Sequence, residues 1–167
     1  HSKLKGGTIS IGVSEIALHQ VLLPVLERFR QEYPGIRLRI FNSNTQQAVS
    51  ALKNRLVDFS LVTPPIECSD VTFSPDIEAA TADQILPMVR ANLGIGFIPE
   101  QTAKEAVRDG CITILQPQEQ PPERTISLLK RKDMTLSIAA AELERILRAY
   151  NAVNSENGAV DADLSST

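Results

Sequence analysis

Ser14 closes a short alternating run, Thr8-Ile9-Ser10-Ile11-Gly12-Val13, and Asn42, Ser43, Asn44 and Thr45 close a second, Ile36 to Phe41. If both runs are parallel strands, the loops at their carboxyl ends converge on one edge. The helices that follow then offer free backbone amides and a partial positive charge. Ser14, Asn44 and Thr45 so placed suit a small anion or a polar metabolite, and Glu15 adds a carboxylate for a polar ligand group. The same residues serve equally well as plain helix caps, and Glu15 as a solvated side chain.

Groups that drive catalysis are sparse. The histidines are His1 and His19, and His19, next to Gln20 at a helix start, reads as a surface or capping residue. Cys68 and Cys111 stand far apart without metal-ligand spacing, and nothing near Cys68 in the chain would lower its pKa. There is no Gly-x-Ser-x-Gly elbow and no Gly-rich loop ending in Lys-Ser/Thr. Gly94-Ile95-Gly96 starts like a dinucleotide fingerprint, but Pro99 occupies the position of the third glycine. The expectation is binding without turnover, no cofactor and no metal.

Alternating strands and helices must position these residues. Thr8 to Val13 is a β-branched strand; Val21, Leu22, Val25, Leu26 and Phe29 recur at helical spacing until Pro34-Gly35. Pro24 fits only a first turn, so the regular helix is expected to begin near Leu22 or Leu23. Ile36 to Phe41 is the second strand, Ala48, Val49, Leu52 and Leu56 mark a helix face, and Asp58 to Thr63 is the third strand before Pro64-Pro65. Three strands on short helical connections form a parallel βαβαβ unit. The grammar then repeats: a helix with Ile85, Leu86, Val89 and Leu93 that Thr81 can cap, a strand over 94–98, and a helix over 101–108. A strand over 111–115, a polar loop over 116–123, a strand over 125–129 and a final helix with Ile138, Leu143, Ile146, Leu147 and Tyr150 complete it. Ser137 is placed to cap that last helix.

Length and charge set the outer bounds. The 167 residues form one domain or two small lobes, and 43% hydrophobic with 22% charged residues excludes wholesale disorder. No apolar run reaches the roughly 20 residues of a membrane span, and no signal peptide is expected, so a cytoplasmic location is the default. Residues 151–167 carry three acids and no base; without them the net charge of −3 becomes zero. A neutral body gives no electrostatic footprint for nucleic acid. Arg37 and Arg39 alternate with Ile36, Leu38 and Ile40 and are expected on the wet face of a strand.

Several stretches in order resemble the effector-binding domain of LysR-type transcriptional regulators. They are Gly-Thr-Ile-Ser-Ile-Gly (7–12), Leu-Leu-Pro-Val-Leu-Glu-Arg-Phe-Arg (22–30), Tyr-Pro-Gly-Ile-Arg-Leu (33–38) and Ala-Leu-Lys-Asn-Arg-Leu-Val-Asp-Phe (51–59). Residues 82–100, from Ala-Asp-Gln to Ile-Pro-Glu, and 124–133 continue the likeness, which spans Gly6 to Tyr150. The resemblance implies a periplasmic-binding-protein-like fold of two α/β lobes with mainly parallel sheets and a small-molecule effector in the cleft. It implies residues 1–65 and 124–150 in lobe I, 66–123 in a shortened lobe II, and 151–167 as a flexible tail. Positions matched for effector contact are Ser14, Glu15, Ile16, Thr45, Thr63 and Thr81, beside Asn44 from the loop itself. It further implies a homodimer, with a tetramer open for the full-length form, and a bacterial cytoplasmic transcription factor. DNA would be contacted only through an N-terminal helix-turn-helix that this chain lacks, and no membrane is involved. A solute-binding protein of the same fold serving a transporter is the alternative.

The likeness breaks at one place. After the hinge the family continues through further strand and helix steps of lobe II, whereas here residues 65–70 run straight into Val71-Thr72-Phe73. A junction near Asp70/Val71 is expected, either a true deletion or a disordered segment that the sequence skips. A true deletion there would leave the second lobe incomplete and the apolar surface of the helix from Ala82 to Leu93 uncovered.

Overall fold

The structure is a computed structural model that describes residues 4–63, 75–79, 81–116 and 125–155. The chain divides into two compact units, one formed by His1–Ile66 with Glu123–Thr167, the other by Glu67–Pro122.

The first unit is built on β1 (Gly7–Val13), whose alternation puts Ile9, Ile11 and Val13 on one face with no exposed surface. Parallel strands β2 (Ile36–Asn42) and β3 (Phe59–Val62) flank it, and β4 (Ser127–Leu129) adds antiparallel to β3, giving the order β2-β1-β3-β4. This is the expected βαβαβ unit with one antiparallel strand appended. Asp58 locks the β1/β3 register: its carboxylate accepts from the Ser10 amide at 2.7 Å, and its own amide donates to the Ser10 carbonyl at 2.8 Å.

Pro24 shapes the helical path that leaves β1. α1 (Glu15–Ala17) passes into a π-helical turn at Leu18–Leu22 and then into α2 (Leu23–Glu32). A proline has no amide to give, and its ring crowds the carbonyl four residues back. The wide turn relieves that crowding, with the Leu23 amide reaching the Leu18 carbonyl five residues back. α2 therefore begins where the proline implies, although the path is already helical from Glu15.

α3 (Thr45–Lys53) starts with a capping box: Asn44 accepts from the Gln47 amide at 2.8 Å, and the Gln47 side chain accepts from the Asn44 amide at 3.0 Å. It packs on the face of the sheet opposite α2. There the Ser60 hydroxyl donates to the Ala48 carbonyl at 3.4 Å, and a Cβ on Gly12 would stand 2.7 Å from Ser60 Oγ. Only glycine allows that approach. Leu56, expected on the helix face, lies past the helix end and is exposed.

α6 (Ile138–Ser155) closes the main core. Ser137 Oγ accepts from the Ala140 amide at 3.2 Å, and Ala139, Ala140, Leu143 and Leu147 pack with Phe29, Phe59 and Leu61. Ile138 points outward instead of lining the core. The helix runs beyond Tyr150 to Ser155. Nearly buried Glu144 accepts from Lys130 just after β4 and from Arg148 on its own helix, at 2.9 and 2.6 Å.

The second unit departs from the expected pattern. It holds a 3-10 turn (Ala82–Gln84), α4 (Ile85–Arg90) and α5 (Glu100–Arg108). The runs 94–98 and 111–115, expected as strands, belong to no ladder. An apolar run becomes a strand only when a neighbour takes its hydrogen bonds, and no strand is present among the described residues of this unit. Its core is correspondingly thin: α4 buries no residue, and Ala106 is the one buried hydrophobic side chain among the described residues of the unit. Leu93 falls past the end of α4 and is exposed. The Pro64-Pro65 stop, the junction near Asp70/Val71, the loop 117–123 and the tail from 156 lie outside the described residues.

Candidate functional site

The carboxyl ends of β1, β2 and β3 meet at one edge of the first unit, and the backbone extends each ladder by a residue. The Ser14 amide donates to the Leu61 carbonyl at 2.9 Å, and the Ser43 amide donates to the Val13 carbonyl at 2.9 Å. Those bonds bring three hydroxyls together. Ser14 Oγ and Thr63 Oγ1 share a hydrogen bond of 3.0 Å, and Thr45 Oγ1 donates to the Thr63 carbonyl at 3.2 Å. Ser14 Oγ also accepts from the Ala17 amide at 3.4 Å, so it is both helix cap and cluster member.

Of the seven expected contact residues, six sit on this edge. Ser14, Thr45 and Thr63 interlock directly. Asn44 is exposed, its side chain engaged in the capping box of α3. Glu15 is half-buried in the first turn of α1, where a carboxylate is favoured by the helix dipole. Ile16 is half-buried against the core. Thr81 belongs to the second unit, where its hydroxyl donates to the Asp83 carboxylate and its carbonyl accepts from the Gln84 amide at 3.2 Å.

Ser43, named in the sequence only as one of four cap-type residues, is buried and donates its hydroxyl to the Phe41 carbonyl at 3.3 Å, which fixes the bend from β2 into α3. Nothing in the sequence distinguished it from its neighbours. The π-helical turn before α2 carries His19, exposed as a surface residue should be, and half-exposed Gln20; Pro24 was the available signal for that turn.

Chemically, the edge offers hydroxyls and helix-start amides. The Ser14 hydroxyl is paired with another hydroxyl and a backbone amide, not with a base that would activate it. Among the described residues every buried side-chain nitrogen or oxygen has a hydrogen-bond partner, so a ligand here must exchange bonds with the cluster. That arrangement suits selective capture of a polar molecule.

Comparison with known proteins places the chain. The pattern of the LysR substrate binding domain matches residues 2–75 and 66–152, two stretches that overlap at 66–75. The chain belongs to this family. A curated relative, the transcriptional dual regulator GltC of Bacillus subtilis (strain 168), is 31% identical over 67 residues, or 40% of this chain. That match spans 22% of GltC's own length. Among solved structures, the reduced regulatory domain of OxyR2 from Vibrio vulnificus aligns with a TM-score of 0.65 at 16% identity, covering 89% of this chain and 98% of that one. CrgA, a LysR-type transcriptional regulator from Neisseria meningitidis, aligns with a TM-score of 0.64 at 13% identity, covering 94% and 70%. The shared fold is periplasmic-binding-protein-like α/β.

Proposed function

We propose that this chain is the effector-binding and dimerising part of a bacterial, cytoplasmic LysR-type transcriptional regulator, and that it has no catalytic activity. The observation that carries this reading is the Ser14–Thr63–Thr45 hydroxyl cluster at the carboxyl ends of three parallel strands, in a chain of this family. The effector is a small polar molecule contacted by Ser14, Glu15, Ile16, Asn44, Thr45 and Thr63; Thr81 joins them on the strength of the resemblance. Residues 1–65 and 124–150 act as one lobe and 66–123 as the second, shortened near Asp70/Val71. The two-part family match supports that junction. Binding shifts the population between two arrangements of the domain, and DNA-binding segments outside this chain respond.

Thermal denaturation against a broad panel of polar metabolites tests the reading. A true effector at a hundred times its Kd adds about 2.7 kcal/mol of stability, which reads as a rise of several degrees. The double variant Ser14→Val with Thr45→Val should keep its dimer and lose that rise. A wild-type chain whose melting temperature no metabolite moves would remove effector sensing from consideration.

A further inference from the structure

The chain's net charge of −3 hides a segregation of charge by face in the first unit. On one side of the sheet, α2 carries Glu27 and Glu32 with Arg28 and Arg30, and α6 carries Glu142 and Glu144 with Arg145 and Arg148, so that side is balanced. The α3 side is not. The parallel register sets Arg37, Arg39 and Phe41 beside Thr8, Ser10 and Gly12. Gly12 faces α3, since a Cβ there would lie 3.9 Å from the Ala48 backbone, so both arginines belong to the α3 side. Arg37, Arg39 and Thr8 are exposed there. α3 itself holds no acid and ends in exposed Lys53. Arg131, two residues beyond β4, donates to the Lys53 carbonyl at 2.8 Å, which brings the turn Arg131-Lys132-Asp133 to the same place. Arg55 joins it, 3.9 Å from Asp133. The acids of this side are already engaged, Asp133 with Arg131 and Asp58 with the Ser10 amide. Arg37, Arg39, Lys53 and Lys132 make no ion pair among the described residues.

We propose that the α3 side of the first unit rests on the phosphate backbone of duplex DNA, beside the sequence that the regulator's DNA-binding segments read. Guanidinium and ammonium groups suit phosphate oxygens, and exposed Gln46, Ser50 and Asn54 on and just after α3 add uncharged donors. From Arg39 on β2 to Arg131 past β4 is three strand spacings, about 14 Å, or about four phosphate steps along one strand. A duplex fits better than a single strand. Phe41 is the one exposed aromatic ring among the described residues of this unit, and Arg39 already lies over it, so bases find no free platform for stacking. The inference rests on the proposed function, which brings DNA within reach. Composition saw only the sum of the charges and so gave no sign of this side.

Anisotropy of a labelled random-sequence duplex of about 30 base pairs, titrated with the whole chain at about 20 mM salt, reads the contact. With the four unpaired bases on phosphates, the logarithm of the binding constant should fall against the logarithm of salt with a slope of about −3.6. Arg37→Glu with Arg39→Glu should weaken binding about tenfold or more and take about 2 off that slope, at an unchanged melting temperature. Lys53→Glu with Lys132→Glu should do the same. Arg28→Glu with Lys104→Glu makes an equal change in net charge at exposed positions on α2 and α5, and should bind as wild type does. A duplex that does not bind overturns the proposal, and so does a loss as large in the α2/α5 variant. Tighter binding to polyglutamate than to duplex would assign this side to an acidic protein instead. Duplex binding that appears only with Glu156→Gln, Asp161→Asn and Asp163→Asn would assign it to the chain's own acidic stretch; either result also overturns the proposal. The thermal shift at Ser14 and Thr45 is read separately, so effector sensing and DNA contact fail independently.

Discussion

Tyr33 shows how one buried side chain sets a limit on the protein's pH range. Its ring packs on Phe29 with centroids 4.9 Å apart, and its hydroxyl donates to Glu142 on α6 at 3.1 Å. Burial, then the hydrogen bond to Glu142, pushes the phenol up to about 12 from an ordinary value of 10.0. Because the folded state holds the proton to higher pH than the unfolded state, the stability it brings is complete below pH 10. That stability is lost as pH rises from 10 towards 12. Chemical denaturation across pH 8 to 12 should show the decline, and Tyr33→Phe should make it shallower. Glu142 is held below the usual carboxylate range, chiefly by its hydrogen bond from Arg145 with burial opposing, so the same clamp favours its charged form at neutral pH.

At the scale of elements, the caps decide where the site's helix begins. Asn44→Ala removes half of the capping box of α3 and should cost about 1 kcal/mol in denaturant unfolding, with no change in the core. Thr45 begins that helix, so fraying there loosens the hydroxyl cluster as well. The elements were legible where a periodicity met its own punctuation: β1, β2 and β3 with their loops, α2 with Pro24 in its first turn, α6 after Ser137. The convergence of Ser14 and Thr45 on one edge followed from parallel topology, and Thr63 from the resemblance. What misled was the pair of apolar runs 94–98 and 111–115. Their composition is that of buried strands, but a strand also needs a neighbour, which no local pattern reveals. Arg39 and Phe41 on β2 make a related point: the guanidinium lies 5.5 Å from the ring centroid on an edge strand whose outer half is exposed. Alternation predicted one wet face there, but an edge strand has less cover on its other face too, and Ile40 is 41% exposed.

At the scale of the whole chain, the first unit depends on a late segment for its closure. Glu144 joins Lys130 and Arg148 beneath the sheet. Burial raises the carboxyl's pKa, but the hydrogen bonds from Lys130 and Arg148 outweigh it and hold the group below its ordinary 4.5. A depressed carboxyl gives stability that is present above about pH 4.5 and fades as pH falls through the folded value. Glu144→Gln should lower stability by about 1–3 kcal/mol at pH 7 and flatten the acid limb of a pH–stability curve.

Val62 and Ser127 stand opposite each other in the β3/β4 ladder. The second unit, Glu67–Pro122, is therefore a guest inserted between two strand ends that the host fixes about 5 Å apart. Closing such a loop costs entropy that grows only with the logarithm of its length, about 0.6 kcal/mol per doubling. The host thus scarcely registers how long the guest is, and residues can be lost from the interior of this gene while β1 to β4 and α6 assemble as before. Any penalty for such a loss would fall on the guest, whose described residues hold helices and no strand.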